Sequence, residues 1–331
     1  MNSLLPEYAS HQDNRGETSS PSPSVSLGGV TSDGQRVDRI LRDPEPLQPL
    51  SDAPDGQPLC REAYLNEMLS LLSGLLQCGN GRNLFICGKP GTGKTLCVQH
   101  LLSEICHKAV ENGVPLAAGY VNAGKTRKPY FTMLEILRSL GVDVPDSGWQ
   151  MFRLKQAFEK ILSERAVLVA VDEFDAVLLN QREPLIYYLS RQPRTTLILV
   201  SNRLEDISTL PPRLLSTLQP RIIRLEPYTA EEAQLILRGR AGKALQPGTV
   251  SEELLAAIAQ TTAGAEDIRL GFAILLTAAH IAEERGKTRI EAGDVQSATR
   301  SESIPSILKE MDALKQKLKA RQKDRHDPIE M

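Results

Sequence analysis

The 331 residues are 41% hydrophobic and 24% charged, with 39 basic against 41 acidic side chains and a formal net charge of −2. That length suffices for one large domain or two modest ones with a sizeable core, and the near-neutral balance excludes both a histone-like coat and a halophile's acid shell. Aromatics are only 4%, too few for broad stacking surfaces, and the longest apolar run, residues 166–171, is far short of the ~20 residues of a spanning helix. The first residues carry no basic leader feeding an apolar stretch. The five cysteines, an odd count without repeated C-x-x-C spacing, fit reduced thiols. Both features predict a soluble protein of the cytoplasm or the nucleus, with no membrane partner.

In chain order, residues 1–56 are rich in Ser, Pro, Gly and Asp and lack any helical or strand period, which predicts a mostly disordered tail with at most a short ordered piece near Val37 to Leu41. From Leu59 the pattern changes. Tyr64, Met68, Leu71, Leu72 and Leu75 recur at helical spacing up to the stop at Gly79-Asn-Gly81. A short apolar strand follows at 84–87, then a glycine-rich turn and a helix from Lys94. Strands are predicted at 116–121, 166–171, 197–200 and 222–225, with helices at 130–140, 151–162 and 185–189 between them. Apolar strands alternating with helices predict an α/β fold, a five-stranded parallel sheet covered on both faces.

After Pro227 no strand signal remains. Thr229-Ala-Glu-Glu232 is a capping-box pattern, and further helices at about 252–260, 268–284 and 291–299 complete a small all-helical domain over 228–300 behind the α/β domain of 57–227. A last segment spaces Ile304, Ile307, Met311, Leu314 and Leu318 in a heptad-like stripe whose C-terminal half carries Lys315, Lys317, Lys319, Arg321, Lys323 and Arg325. It predicts a basic C-terminal helix over 301–331.

The chemistry is concentrated in two places. Gly88-Lys-Pro-Gly-Thr-Gly-Lys94-Thr95 fits the phosphate-loop pattern G-x-x-x-x-G-K-[ST]. Composition alone yields that pattern in roughly one chain in a hundred of this length, so its weight comes from its place after a strand and at the start of a helix, where the helix dipole also favours phosphate. Gly88, Lys89, Pro90, Gly91, Thr92, Gly93, Lys94, Thr95 and Leu96 are the expected nucleotide-binding set, with Lys94 on the β- and γ-phosphates and Thr95 on Mg²⁺. The second place is the tip of the strand ending at Asp172-Glu173, the edge at which parallel sheets bind ligands. Asp172 is expected to hold Mg²⁺ and Glu173 to polarise the water attacking ATP; Asp175 reads as structural. Asn202, at the end of the next strand, is placed to hydrogen-bond the water or the γ-phosphate. Arg213 is placed to reach a neighbouring subunit's nucleotide, and Arg269 to touch the γ-phosphate from the helical domain. Cys97 with His100 and Cys106 with His107 read as helix residues rather than a zinc site.

This order of motifs resembles that of AAA+ ATPases and, within them, of the origin-recognition and cell-division-control replication initiators, especially archaeal ones. Residues that carry the narrower likeness are Leu59-Cys-Arg61-Glu62, Asn83 with the phosphate loop, Tyr120-Val-Asn-Ala, Pro129-Tyr with the run from Leu140 to Trp149, Ser201-Asn202, and Pro227-Tyr228. The similarity spans about residues 57–300. It implies that Arg61 packs near the adenine, that a helical insertion at about 123–150 touches double-stranded DNA, that Asn202 is the first sensor, Arg213 the arginine finger and Arg269 the second sensor. It also implies self-assembly or pairing with related AAA+ subunits through Arg213, and a replicative helicase as partner. Two departures stand out: Glu266 occupies a position where many relatives have glycine, and only about 30 residues follow the helical domain, about half of what a winged helix needs, so that domain is expected to be missing or cut away. The function implied is an ATP-hydrolysing initiator, chromosome-associated in a prokaryote and nuclear in a eukaryote. The residues alone also allow a DNA-remodelling ATPase of a mobile element, or a regulatory module that binds nucleotide and hardly hydrolyses it.

Overall fold

The computed structural model describes residues 39–48, 57–126, 128–176 and 179–301, with residues 176 and 179–183 as backbone only. All of them belong to one compact unit that begins at Arg39. Five strands, β1 (Leu84–Cys87), β2 (Leu116–Asn122), β3 (Ala166–Asp172), β4 (Thr195–Ser201) and β5 (Arg221–Arg224), form a parallel sheet in the order β2-β3-β4-β1-β5. Helices α1 (Glu62–Cys78), α2 (Lys94–Glu111), α3 (Ala123–Thr126), α4 (Pro129–Ser139), α5 (Met151–Glu164), α6 (Leu179–Ser190), α7 (Glu205–Ser208) and α8 (Pro212–Leu218) connect and cover it.

The burial pattern explains why this sheet is doubly covered. All seven residues of β3 are buried, as a strand needs when both its faces are packed. Val167, Val169 and Val171 join one core with Leu134, Phe158 and Leu189. Leu168 and Ala170 face the other core, with Met68, Val98 and Leu101. Edge strand β2 instead alternates buried and half-buried residues. The strand order brings the tips of β3, β4 and β1 side by side, so three segments far apart in sequence end at one rim.

The predicted helix at 185–189 is longer. α6 runs from Leu179 through Pro184 to Ser190; one proline removes a single ladder donor and is tolerated at a cost.

Four more helices, α9 (Ala230–Ala244), α10 (Glu252–Ala265), α11 (Ile268–Glu284) and α12 (Ala292–Arg300), make the lid. The capping box forms as read: Glu232 N–H donates to Thr229 Oγ1 at 3.2 Å and Thr229 N–H donates to Glu232 Oε2 at 2.9 Å. Leu237, Phe272, Leu275 and Ala278 fill the lid core together with Ile40 and Leu47. This corrects the expectation of a disordered tail over 1–56 in one stretch. Residues 39–48 lie on the lid, with Ile40 and Leu47 fully buried, Leu41 bridged to Leu245, Gln246 N–H donating to the Ile40 carbonyl at 2.9 Å, and Arg240 donating to the Pro46 carbonyl at 2.9 Å. Two apolar side chains without a period suffice here because both are buried in the lid core. The basic helix expected over 301–331 lies outside the described residues but for Ser301. No helix among the described residues is long and apolar enough to cross a membrane.

Candidate functional site

The glycine-rich loop follows β1 and runs into α2, whose N-cap Gly93 sits at φ 83°. Two of its glycines are required by neighbours. A Cβ on Gly91 (φ +77°) would collide with the Asp267 carboxylate, and one on Gly93 would come within 2.6 Å of the Tyr228 hydroxyl. Both positions need the left-handed region, which only glycine enters without strain, and both are crowded by residues of the lid or its entry.

Lys94 is 8% exposed. Its ammonium donates to the Gly88 carbonyl at 2.7 Å and the Lys89 carbonyl at 2.9 Å. Burial is the largest influence on it and lowers its pKa from 10.5 to about 8; Asp172 and Asp175 oppose that shift and Arg269 adds to it. Thr92 is buried, with its hydroxyl donating to the Lys89 carbonyl at 2.8 Å. Lys89, Pro90 and Thr95 are exposed, and Leu96 is half-buried.

At the tip of β3, Asp172 is 3% exposed. Its Oδ2 accepts from Thr95 Oγ1 at 2.7 Å and from the Tyr120 hydroxyl at 2.8 Å, and its Oδ1 accepts from the Glu173 N–H at 2.7 Å. Burial, then the adjacent carboxylate, pushes the Tyr120 hydroxyl well above the usual tyrosine range, so it stays a donor. Glu173 adopts φ 49°, a conformation costing about 1–2 kcal/mol for a residue with a side chain, which turns it out of the strand line directly after Asp172. Asn202 Nδ2 donates to Asp175 Oδ2 at 3.3 Å, so Asp175 orients the amide at the end of β4.

The lid supplies the other wall. Asp267 caps α11 by accepting from the Arg269 N–H at 3.0 Å, and it also takes the guanidinium in a forked ion pair at 2.6–3.1 Å. Glu266, at φ 58°, forms an ion pair with Lys89 of the loop. That left-handed conformation is one that glycine enters without strain.

Arg61, expected near the adenine, lies between the phosphate loop and the entry to the lid. It is 2% exposed; its guanidinium donates to the Thr92 carbonyl at 3.2 Å and the Glu226 carbonyl at 2.7 Å, and it lies 3.6 Å from the centre of the Tyr228 ring. It thereby fastens the loop to the start of the lid. Arg213 is not among the groups at the loop. It lies 5.7 Å from the centre of the Tyr187 ring, beside a surface pocket of about 610 Å³ that Lys155 and Arg191 also line.

In the insertion, Lys125 and Lys128 are exposed, while Arg127 lies outside the described residues. The Trp149 carbonyl accepts from the Tyr130 hydroxyl at 2.7 Å and the Arg153 guanidinium sits 4.3 Å from the Trp149 ring centre. Sequence reasoning passed over Tyr120, the Lys89–Glu266 pair and Asp267. The available signal for Tyr120 was its even spacing from the end of β2, on the face that Asp172 shares one strand away.

A phosphate loop after β1, two acids on the strand beyond its neighbour β4 and a four-helix lid closing on the loop define the AAA+ ATPase fold. Residues 78–205 match the family model described as AAA domain, and residues 234–300 match the Cdc6 AAA+ ATPase-type lid domain. The chain is 30% identical over 271 residues to ORC1-type DNA replication protein 1 of Sulfolobus acidocaldarius, covering 78% of this chain and 66% of that protein. To the protein of the same name from Archaeoglobus fulgidus it is 33% identical over 254 residues, covering 72% and 61%. The chain therefore spans about two thirds or less of the length of these relatives. Among solved structures it resembles the Aeropyrum pernix ORC1 protein in complex with DNA (29% identity, TM-score 0.69, covering 78% of this chain and 69% of that one), and in fold Cdc6p of Pyrobaculum aerophilum (24% identity, TM-score 0.67, covering 79% and 71%). The chain belongs to the ORC1/Cdc6 family of AAA+ replication-initiator proteins.

Proposed function

We propose that this chain is an ATP-switched, DNA-binding replication initiator that hydrolyses ATP slowly. The observation that carries the nucleotide part is the convergence at one sheet rim of Lys94, the Thr95–Asp172 pair at 2.7 Å and Glu173, with Arg269 facing them from the lid. The donor set fits its ligands. Loop N–H groups and a buried ammonium suit phosphates, and a hydroxyl beside a carboxylate offers the hard oxygens that Mg²⁺ takes. When bound, Mg²⁺ neutralises charge on the β- and γ-phosphates.

The protein's own groups do the rest. Lys94 exchanges the Gly88 and Lys89 carbonyls for phosphate oxygens. Glu173 accepts a hydrogen bond from the attacking water while Asn202, held by Asp175, orients it. Arg269 leaves its fork with Asp267 to meet the γ-phosphate, which draws the lid onto the nucleotide. Arg213 acts on the nucleotide of a second AAA+ subunit, since it lies away from its own loop; assembly then follows ATP binding and disassembly follows hydrolysis.

DNA contact comes from the insertion, where Lys125 and Lys128 are exposed. One subunit offers few phosphate contacts, so binding is modest, weakly sequence-selective and dependent on assembly. That the Aeropyrum relative was solved in complex with DNA supports DNA binding itself; on this proposal the protein works at the chromosome and a replicative helicase is its downstream partner. The test is sizing in solution with ATP, with ADP and without nucleotide, each with and without duplex DNA. ATP and DNA together should give the largest species. A particle whose size ignores nucleotide would overturn the switch.

A further inference from the structure

We infer that Tyr120 is a positioning residue of the metal site: its hydroxyl fixes the Asp172 carboxylate in the orientation that, together with Thr95, receives the divalent cation. The inference rests on the proposed ATP–Mg²⁺ reading of this rim and adds a residue to it.

The geometry begins in the sheet. β2 and β3 are parallel neighbours in register, with Asn122 opposite Asp172 and Tyr120 opposite Ala170. Side chains alternate across a sheet, so Tyr120, Asn122, Ala170 and Asp172 share one face. A residue two places back on the next strand lies a diagonal of about 7–8 Å away, a gap that an aromatic side chain spans and a short one does not. Ala170 leaves the space open. The tyrosine crosses it and places its hydroxyl 2.8 Å from Asp172 Oδ2.

The carboxylate is then held from three sides, by Tyr120, by Thr95 and by the Glu173 N–H. A carboxylate has about four lone-pair sites and a hydroxyl that donates its proton keeps its own lone pairs, so this arrangement leaves Asp172 and Thr95 each an oxygen to offer. The Glu173 bond comes from the next peptide and fixes Oδ1 only. Without the phenol, Thr95 is the remaining side-chain donor to Oδ2 among the described residues, and Thr95 is exposed where Asp172 is buried. Orientation of the carboxylate therefore depends on the tyrosine. Partners of this outer kind typically carry 10–100-fold in metal affinity.

The test uses the full chain and Tyr120→Phe, which retains the ring and removes only the oxygen, so the fold is kept; its unfolding midpoint checks that. Binding of a fluorescent ADP analogue is measured in EDTA and across a Mg²⁺ titration, and Mn²⁺ binding in the presence of ADP is followed by electron paramagnetic resonance. The expected result is metal-free nucleotide affinity within about twofold of wild type, with the Mg²⁺ and Mn²⁺ concentrations for half-saturation raised about 10–100-fold. Unchanged metal dependence in Tyr120→Phe would overturn the inference while leaving the ATP site intact. A loss of metal-free affinity equal to the loss with metal would also overturn it, since a merely structural role predicts that. If wild type shows no metal dependence, the reading beneath falls and this one with it.

Discussion

The two walls of the nucleotide cleft are built on different physics. On the sheet side, Lys94 and Asp172 are 8% and 3% exposed and are held by short hydrogen bonds to carbonyls, a hydroxyl, a phenol and a peptide N–H. On the lid side, Glu266 and Lys89 meet as an ion pair with side chains 42% and 61% exposed, and Arg269 is forked to its own neighbour, Asp267. Buried hydrogen-bonded groups are expensive to displace, whereas exposed ion pairs are worth little and are screened by salt. The sheet side is therefore set before any nucleotide arrives, and the Lys89–Glu266 contact is able to change partners, whereas the Arg269–Asp267 fork, with side chains only 14% and 18% exposed, is the firmer lid contact. A switch needs both properties, one on each wall.

The comparison can be broken most decisively at its rigid wall. Lys94→Ala should weaken ATP binding at least about a hundredfold, on the scale of about 3 kcal/mol for removing one partner of a buried charge pair; unchanged affinity by titration calorimetry would remove the phosphate-loop assignment. Next in size, Glu173→Gln should bind ATP as wild type and turn it over about a hundredfold more slowly, the scale of a positioned general base. Near-normal turnover in a phosphate-release assay would leave Glu173 a structural acid.

A pH series sharpens the same wall. Burial holds Lys94 at about 8 rather than 10.5. Below pH 8 the ammonium is present and ready for phosphate. As pH climbs past 8 the free protein loses that proton, so ATP binding must recapture it and affinity falls by up to about tenfold per pH unit. Calorimetry in buffers of different ionisation enthalpy should detect proton uptake near pH 8.5. For the fold the sign is opposite: between about 8 and 10.5 the unfolded chain binds the extra proton, so this group alone makes stability rise with pH through that window.

The smallest effect belongs to the movable wall. Glu266→Gly removes the pair with Lys89 but relieves a left-handed backbone costing about 1–2 kcal/mol. The unfolding midpoint should stay level or rise slightly. A drop of more than about 1 kcal/mol, beyond what an exposed pair usually contributes, would mean that the ion pair fastens the lid and that the two walls are less different than drawn.

The boundary between what the chain announces and what folding adds follows the same division. Gly88 to Thr95, Asp172 with Glu173, and the Thr229 to Glu232 cap were legible because each is a contiguous run whose chemistry is local: consecutive N–H groups around a phosphate, acids at one strand's end, a helix start. Arg213 was legible as a residue at a helix start, but not its neighbourhood of Tyr187, Lys155 and Arg191, which come from two other helices. Of residues 39–48, the sequence predicts order only in a short piece up to Leu41, since the two buried side chains show no period.

By itself the sequence determined the α/β sheet with its helical lid, the phosphate loop and the acidic strand tip, because alternation, capping and glycine spacing act over a few residues. Only the tertiary structure decided which side chains meet across those elements. Tyr120 reaches Asp172 because β2 pairs with β3 in one register; a slip by a single residue would turn it to the opposite face. Arg61 binds the Thr92 and Glu226 carbonyls, 31 and 165 positions away, and Glu266 finds Lys89 at a separation of 177. Contacts at such distances carry no local pattern, since their geometry is fixed by strand order and by packing of the lid, not by neighbours along the chain.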